Sequence, residues 1–280
     1  MLRTMTRPER PRLRHEVTLD ALGIPLVVRA HGSMAYVVAD AVEHAWSRCV
    51  VEAPTDGRDA LQVDVLVDSD ALIARWAAGR GWVAATSLDV LMHDLSPSIT
   101  GRVVEHLAGR ALVLRACALA DPASGATVVL VGPRGVGRST AAARLGADLG
   151  YVSDEVVAVG DGGEVVAFPK PLSLPDGDGH LTVQVSPDDL DLVRPPASLH
   201  VAAVAVLDRL PDGPTVPAVE PVDLQDAIPT LAGHTTYLDI LDQPVRRLRA
   251  LLAGVGGAVR LSYRDHADLL PAVRTLLDGR

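Results

Sequence analysis

The chain has 280 residues, a formal net charge of −9 at neutral pH and a hydrophobic content of 48%. That hydrophobic content is normal for a folded protein and excludes a wholly disordered chain. The acidic balance argues against a broad nucleic-acid-binding face, and the few aromatic residues argue against a stacking surface for single strands. No charge-free apolar run reaches the roughly 18 residues of a membrane span, so we expect neither a nucleic-acid nor a membrane partner.

Arginine supplies almost all of the positive charge, because Lys170 is the only lysine among 26 Lys and Arg residues. The N-terminal residues 1–15 are rich in arginine and lack the apolar core of a secretion signal, so we predict a flexible basic tail there. Cys49 and Cys117 each lie alone in an apolar stretch, which favours buried thiols in a reducing, cytoplasmic protein.

Strands and helices are predicted to alternate along residues 16–109. Apolar runs and period-two alternation predict strands, and apolar residues at helical spacing predict helices. The predicted strands are 25–30, 61–67 and 81–86, and the predicted helices are 33–49, 71–78 and 87–108. Ser33 is the expected N-cap of the first helix, and Pro97 is expected to kink or break the third.

The same alternation continues through residues 110–280. Predicted strands are 111–120, 126–132, 155–160, 163–168, 171–175, 201–210 and 257–263, and predicted helices are 138–149, 223–231, 238–253 and 266–278. Residues 175–200 are rich in Pro, Gly and Asp and are the predicted mobile loop. The pattern predicts an α/β protein.

The most informative motif is VVLVGPRGVGRSTAAARL at 128–145. An apolar strand leads into Gly132, and Gly137 precedes a helix, which matches the phosphate-loop (P-loop) pattern G-x-x-x-x-G-K-[ST] with arginine at the lysine position. Glycines let backbone N–H groups surround a phosphate, and the helix N-terminus adds free donors. The candidate nucleotide-binding residues are Gly132, Arg134, Gly135, Gly137, Arg138, Ser139, Thr140 and, further along the chain, Lys170.

Two other interpretations of this loop remain open from the sequence. One is a strand-to-helix turn without a ligand. The other is an incomplete dinucleotide-binding fingerprint, because Gly135-Val136-Gly137 is followed by Asp154 at about the spacing of a ribose-binding acid. Arg138 keeps the charge of a lysine but is longer and planar, so we expect anion binding to tolerate the exchange better than catalysis does.

Two adjacent acids, Asp154 and Glu155, follow the predicted phosphate-loop helix in LGYVSDEVVAV. Phosphoryl transfer needs a carboxylate that orients the acceptor hydroxyl and others that hold Mg²⁺. Neighbouring residues of a strand point to opposite faces, so both acids can serve one site only where the strand ends or bends. The alternative is a turn with two solvated acids.

The succession of VVLVGPRGVGRSTAAARL, GYVSDEVVAV and FPKPLSL resembles the kinase core of the HPr kinase/phosphorylase-like proteins, which share a fold with phosphoenolpyruvate carboxykinase. The resemblance covers about residues 110–210, and residues 1–109 are more similar to those of the shorter, stand-alone bacterial members. It implies an HPr-kinase-type P-loop domain at 110–280, with a central mixed sheet flanked by helices, and a smaller α/β domain at 16–109. It also implies ATP and Mg²⁺ as cofactors, and a homo-oligomer.

The resemblance also implies roles for single residues. Asp154 matches the acid that activates the acceptor hydroxyl, Glu155 matches the second acid and a metal ligand, and Ser139 matches the Mg²⁺-binding hydroxyl. The chain departs from the family at three places: arginine replaces the loop lysine at Arg138, Glu155 replaces an aspartate, and Arg115-Ala116 stands where relatives often carry a histidine pair.

Three further candidates are less specific. Lys170 lies between two prolines, where an ammonium is expected to meet phosphate in place of the missing loop lysine; the alternative is chance. His234 lies at a predicted helix start, either as part of a capping turn with Thr235 or Thr236 or as a site-lining residue. Asp208 and the arginine after it end a predicted buried strand and are candidates for the catalytic edge.

The leading hypothesis is an ATP-dependent kinase that transfers the γ-phosphoryl group to a serine hydroxyl of a peptide or small protein, in the modification of ribosomally made peptides. Its candidate catalytic residues are Asp154, Arg138 and Glu155, with Ser139 and Glu155 as metal ligands. The alternative is a catalytically degenerate nucleotide-binding protein that recognises a peptide or partner enzyme without transfer.

Overall fold

The structure is a computed structural model that describes residues 13–52, 60–175 and 182–279. These residues form an α/β protein with mixed sheets and helices, as predicted. The helices are α1 Ala35–Ala45, α2 Ala71–Ala78, α3 Leu88–Leu107, α4 Arg138–Leu145, α5 Leu224–His234, α6 Pro244–Gly254 and α7 Leu269–Leu277. None of the helices in these ranges is long and apolar enough to cross a bilayer.

The strands fall into four sheets. They are β1 Leu13–Ala21, β2 Ile24–His31, β3 Leu61–Val67, β4 Val83–Ala85, β5 Leu112–Leu114, β6 Ala116–Ala120, β7 Ala126–Val131, β8 Gly150–Ser153, β9 Val157–Val159, β10 Val165–Val166, β11 Leu172–Pro175, β12 Thr182–Val185, β13 His200–Arg209, β14 Ala218–Val222 and β15 Ala258–Tyr263. The sheet orders are β1-β2-β3-β4, β10-β9-β5, β11-β12 and β14-β15-β13-β7-β6-β8.

The N-terminal sheet packs its apolar face against α1 and α3. Strand β3 shows the alternation that predicted it, because Val63 and Val65 are buried while Gln62 is exposed. The same hydrophobic core includes Val113 and Phe168, which follow the predicted boundary at residue 109. The division into domains at 16–109 and 110–280 stays a prediction.

The six-stranded sheet has three parallel strands, β7, β13 and β15, at its centre. Strands β6 and β14 join this core in the antiparallel sense, so the sheet is mixed. Both faces are covered by helices and loops, which is why β6 and β7 are continuous apolar runs without alternation.

The predicted strand at 111–120 is two strands in different sheets. Arg115 interrupts it, because its backbone N–H donates to the His234 carbonyl at 2.7 Å and the next N–H, of Ala116, donates to the Glu155 carbonyl at 3.0 Å. Strand β5 therefore pairs with β9, and β6 pairs with β7 and β8. This break places Arg115 and Glu155 at the same edge of the large sheet.

Helix α3 continues through Pro97, which was expected to kink or break it. A proline inside a helix costs about 3 kcal/mol through the lost hydrogen bond and the steric clash. Four large apolar side chains of α3 offset this cost, because each fully buried side chain contributes about 1.5–3 kcal/mol. They are Leu91, Leu95, Ile99 and Val103.

Other boundaries also differ from the predictions. Helix α1 begins at Ala35 without a side-chain cap, so Ser33 is not its N-cap. Helix α4 ends at Leu145, α6 begins only at Pro244, and a short 3₁₀ turn at His266–Asp268 precedes α7. Strand β14 was missed, and its Pro221 fits the edge position that it occupies.

Two predicted flexible segments lie partly outside the described residues. Residues 1–12 of the predicted tail are outside them, and residues 13–15 belong to β1. Residues 176–181 of the predicted mobile loop are also outside them, whereas 182–185 form β12.

Candidate functional site

The candidate residues gather at one edge of the six-stranded sheet, where the parallel strands β7, β13 and β15 end. The register pairs Val206 with Val131 and Arg209 with Tyr263, so these carboxyl ends are neighbours. Strand β8 runs in the same direction as β7, which brings Asp154 to this edge. Open α/β sheets bind ligands at such carboxyl ends.

The glycine loop, Gly132–Thr140, connects β7 to α4. Gly135 and Gly137 have φ angles of +86° and +97°, in the left-handed region that other residues rarely adopt. The Val136 N–H donates to the Pro133 carbonyl at 3.2 Å, and the Ala141 N–H donates to the Gly137 carbonyl at 2.8 Å. The loop therefore turns tightly from a buried strand into the first turn of a helix, the geometry that a phosphate-binding loop needs.

Two side chains, one at the end of β15 and one just after it, contact this loop. The Tyr263 hydroxyl donates to the Val136 carbonyl at 2.9 Å and lies 3.2 Å from His266 Nε2. A Cβ atom at Gly137 would lie 2.1 Å from the same Nε2, so glycine is required there by the imidazole as well as by φ. Sequence reasoning missed both side chains, and their position at or just after the carboxyl end of a parallel strand was the available signal.

Burial, followed by the charge of Arg209, lowers the pKa of His266 below its ordinary value. The imidazole is therefore neutral at neutral pH and adds no positive charge beneath the loop. Its role in the described structure is to fill the space under Gly137.

Arg138, at the position of the loop lysine, points toward the start of β6. Its guanidinium donates to the Arg115 carbonyl, and the Arg115 guanidinium donates to the Gly233 carbonyl at 2.8 Å. Burial and then the charges of Arg138 and Arg115 lower the pKa of His234, which places all three side chains near one another. His234 is the last residue of α5 and not the start of a helix, so the predicted capping turn is wrong.

The two acids follow directly after the end of β8 at Ser153, which lets both serve one site. Lys170 Nζ lies 3.2 Å from Asp154 Oδ1 and 3.2 Å from Glu155 Oε2. The Lys170 and Asp154 side chains are each only 2% exposed, whereas that of Glu155 is 43% exposed. The phosphate partner expected for Lys170 is replaced in this structure by these two carboxylates.

The buried ammonium of Lys170 is held charged by its neighbours. Burial lowers its pKa, but the carboxylates of Asp154 and Glu155 outweigh burial and raise it above its ordinary value. The Tyr151 hydroxyl lies 3.3 Å from Asp154 Oδ1 and 3.1 Å from the Lys170 carbonyl. The group is thus an ion-pair network around Lys170, in which Asp154 is buried and Glu155 is partly exposed, and not a pair of fully solvated acids.

Helix α3 completes this network from the N-terminal part of the chain. Ser96 Oγ lies 3.4 Å from Lys170 Nζ, and the Thr100 hydroxyl donates to Glu155 Oε2 at 3.2 Å. Both hydroxyl residues are buried. They were missed, although two polar residues beside the apolar stripe of α3 were a signal in the sequence.

The residues fit a magnesium ion at the glycine loop and not between the acids. Ser139 lies half-buried in the first turn of α4, where a hydroxyl can meet a metal that bridges phosphates. Glu155 Oε2 already contacts an ammonium and a hydroxyl. No three His, Cys, Asp or Glu side chains of the described ranges form a metal-binding group.

Cys117 lies in β6 and is fully buried. Burial raises its pKa to about 12, the charge of Arg138 opposes that rise and the charge of Asp154 adds to it. Cys49 is likewise buried, with a pKa raised to about 12 by burial, so both predicted buried thiols are confirmed.

The remaining candidates lie on the rim. Arg134 and Thr140 are exposed. Asp208 pairs with Arg260 at 3.6 Å, and Arg209 Nε donates to the Arg264 carbonyl at 3.4 Å. A cavity of about 450 Å³ lies elsewhere, between the turn at 160–163 and α6, and no residue of the glycine loop or of the acid pair lines it. Phosphate sites made of backbone donors are shallow, so cavity size does not locate them.

Comparisons with known proteins give likenesses to solved structures and none to known sequences. No family model and no curated protein matches the sequence. Among solved structures, the chain is similar to the HPr(Ser) kinase/phosphatase from Coxiella burnetii, with 15% identity and a TM-score of 0.31 over 59% of this chain and 93% of that chain. At this identity and TM-score, we base the function on the residues of this chain alone.

Proposed function

We propose that the protein binds ATP with Mg²⁺ on the glycine loop Gly132–Thr140. The single observation that supports this most is the pair of left-handed glycines, Gly135 and Gly137, between a buried parallel strand and the start of α4. Such a turn directs backbone N–H groups and the positive end of a helix dipole toward one point. A triphosphate is the ligand that uses both.

The side chains around the loop suit a magnesium triphosphate. Ser139 provides the hydroxyl for Mg²⁺, and the exposed Arg134 lies free of the core to meet a phosphate oxygen. Arg138 keeps a fixed positive charge at the lysine position, although it must leave the Arg115 carbonyl to reach a ligand.

The proposal includes transfer of the γ-phosphoryl group to a serine hydroxyl of a peptide or small protein. Asp154 stands at the same edge of the sheet as the loop, because β8 runs in the same direction as β7. A carboxylate near the γ-phosphate is the group that orients an acceptor hydroxyl. A kinase of the HPr-kinase type, acting on a ribosomally made peptide in the cytoplasm, is the form of this activity that we propose.

A second function, nucleotide binding without transfer, is favoured by a different observation. Asp154 is buried, and its carboxylate is engaged by Lys170 and Tyr151, so an acceptor hydroxyl has to displace existing contacts. In this case the protein recognises a peptide or partner enzyme in a nucleotide-dependent way.

The two functions are separated by an assay with γ-labelled ATP, Mg²⁺ and serine-containing peptides encoded beside the gene. Transfer by the native protein that falls at least about 100-fold in Asp154→Asn supports the kinase, because that is the lower range for losing a general base. ATP binding by the native protein without phosphoryl transfer, together with transfer by Arg138→Lys, supports the second function. If the native protein binds no Mg·ATP, both are wrong.

A further inference from the structure

Lys170 occupies the position between Asp154 and Glu155 that a divalent cation takes in many two-carboxylate sites. We propose that its ammonium is a built-in cation that replaces a metal ion at this acid pair and fixes the two carboxylates in place. The proposal that the ammonium replaces a metal ion rests on the geometry alone, whereas its consequence for catalysis rests on the proposed function.

The contacts of the ammonium resemble those of a bound cation. Four oxygens surround Nζ: one carboxylate oxygen of each acid at 3.2 Å, and Ser96 Oγ and the Pro171 carbonyl at 3.4 Å. The side chain is 2% exposed, so water cannot replace these oxygens. A lone buried carboxylate pair would repel, and a cation between the two acids removes that repulsion.

The backbone around Lys170 holds the ammonium at this point. Pro169 and Pro171 flank it and restrict the backbone, the Phe168 N–H donates to the Val152 carbonyl at 2.9 Å, and the Lys170 N–H donates to the Phe168 carbonyl at 2.8 Å. The segment is therefore attached to β8, the strand that ends at the acids.

The built-in cation also explains the one lysine of an arginine-rich chain. An ammonium is compact and turns its three protons to acceptors in any direction, whereas a guanidinium is planar, longer and presents its donors in a fixed fork. The buried ammonium has acceptors on several sides, an arrangement that suits the compact group better than the fork. Arginine replaces lysine everywhere else in the sequence.

Helix α3 belongs to the same arrangement. Ser96 contacts the cation and Thr100 contacts Glu155, so residues of the N-terminal part help to orient both members of the ion-pair network. Lys170, Ser96 and Thr100 are positioning residues for Asp154 and Glu155 and do not themselves touch a nucleotide in this arrangement.

The test measures Mn²⁺ binding by the full chain without nucleotide, using Lys170→Ala to open space for an ion and its waters. We expect Lys170→Ala to bind Mn²⁺ at least about tenfold more tightly than the native protein, since carboxylates are suited to Mn²⁺. Mn²⁺ should also raise the melting temperature of Lys170→Ala and not that of the native protein. In the matched control Lys170→Ala/Glu155→Gln, both gains should disappear.

Equal Mn²⁺ binding by the native protein and Lys170→Ala overturns the proposal. If Lys170→Ala does not fold in metal-free buffer, refolding with Mn²⁺ decides: recovery of cooperative unfolding supports a cation site, and no recovery overturns it. Because nucleotide is absent, these outcomes do not depend on the proposed function.

The effect of Lys170 on catalysis is measured by the kinetics of phosphoryl transfer. We expect Lys170→Ala to lower kcat with little change in the KM for ATP, and added Mn²⁺ to restore part of kcat; a change in KM alone overturns the positioning role. If the native protein transfers no phosphate, the kinase proposal fails while the Mn²⁺ result still decides the role of Lys170.

Discussion

The glycine loop and the acid pair lie at the same edge of one sheet but are built in opposite ways. The loop uses backbone groups and left-handed glycines and has exposed residues such as Arg134 and Thr140. The acid pair uses side chains, of which Asp154 is buried and Glu155 is partly exposed, and it already has its charge partner in Lys170. The loop is therefore ready for an anion, whereas the acids are satisfied before any ligand arrives.

If the proposed function is correct, nucleotide binding and phosphoryl transfer should depend on separate parts of the site. Changes in the loop should alter nucleotide affinity with modest effects on folding. Changes in the ion-pair network should alter folding and, if transfer occurs, the rate of transfer. The predictions that follow test this contrast.

The largest expected effect is the loss of stability in Lys170→Met. Removing one partner of a buried ion-pair network leaves an unpaired charge, which costs about 3–5 kcal/mol of unfolding free energy. Chemical denaturation measures it. The control is Arg138→Met, in the half-buried loop position, for which we expect a loss below about 1 kcal/mol. Similar losses in both variants would contradict the contrast between the two regions.

A second prediction compares two glycines of the loop. In Gly137→Ala the new methyl group meets His266 as well as an unfavourable φ, whereas at Gly135 no atom lies within 4 Å of the new methyl group. A left-handed backbone costs about 1–2 kcal/mol for an alanine at either position. Only Gly137→Ala adds a steric clash with His266. Calorimetry with Mg·ATP should show a more than tenfold greater loss of affinity in Gly137→Ala than in Gly135→Ala, as expected for a difference above about 1.4 kcal/mol.

The third prediction concerns alkaline pH. Both cysteines have pKa values near 12 in the folded protein, raised from 9.0, so the unfolded chain loses their protons first as pH rises. Stability must then fall with pH above about 9, by about 1.4 kcal/mol per thiol at pH 10. Lys170 acts differently, because its pKa is raised in the folded protein. Its contribution to stability is fully present at pH values below its ordinary pKa of 10.5, and it is lost only as the pH rises above that value.

Unfolding measured from pH 8 to pH 10 tests this assignment. Cys117→Ala should reduce the pH-dependent loss by about half of the two-thiol contribution, and Cys49→Ala should do the same. A pH dependence that neither variant changes would exclude the buried thiols as its source.

The smallest expected effect is that of Thr100→Val. This change removes the hydroxyl that donates to Glu155 and keeps the shape of the side chain, so we expect a loss of about 1 kcal/mol, at the low end for a partly exposed carboxylate. Thr230→Val is the control, because its hydroxyl donates only to a carbonyl of its own helix. Equal losses of unfolding free energy in the two variants would show that Thr100 of helix α3 does not stabilise the ion-pair network.

Local patterns in the sequence predicted much of the fold. The bounds of β3 and α2 follow from period-two and helical spacing, and the glycine motif marks the strand, turn and helix around Gly137. These features depend on near neighbours in the chain, as does the turn at Asp121, whose carboxylate accepts from the Ser124 N–H at 2.7 Å.

The features that escaped prediction depend on distant contacts. The break at Arg115 follows from pairing with His234 and Glu155, and the continuity of α3 through Pro97 follows from burial in the N-terminal core. One partner of Lys170, Ser96, lies 74 residues away in the chain, so no local spacing predicts this contact. The sequence identified the acids as candidates but not the ion that neutralises them.

The most direct test of the account is calorimetric titration of Mg·ATP into the native protein and into Glu155→Gln. If the loop alone holds the nucleotide, the native protein binds Mg·ATP and Glu155→Gln binds it within about threefold, a difference below about 1 kcal/mol. Absence of binding by the native protein, or its loss in Glu155→Gln, would contradict the assignment of the nucleotide to the glycine loop.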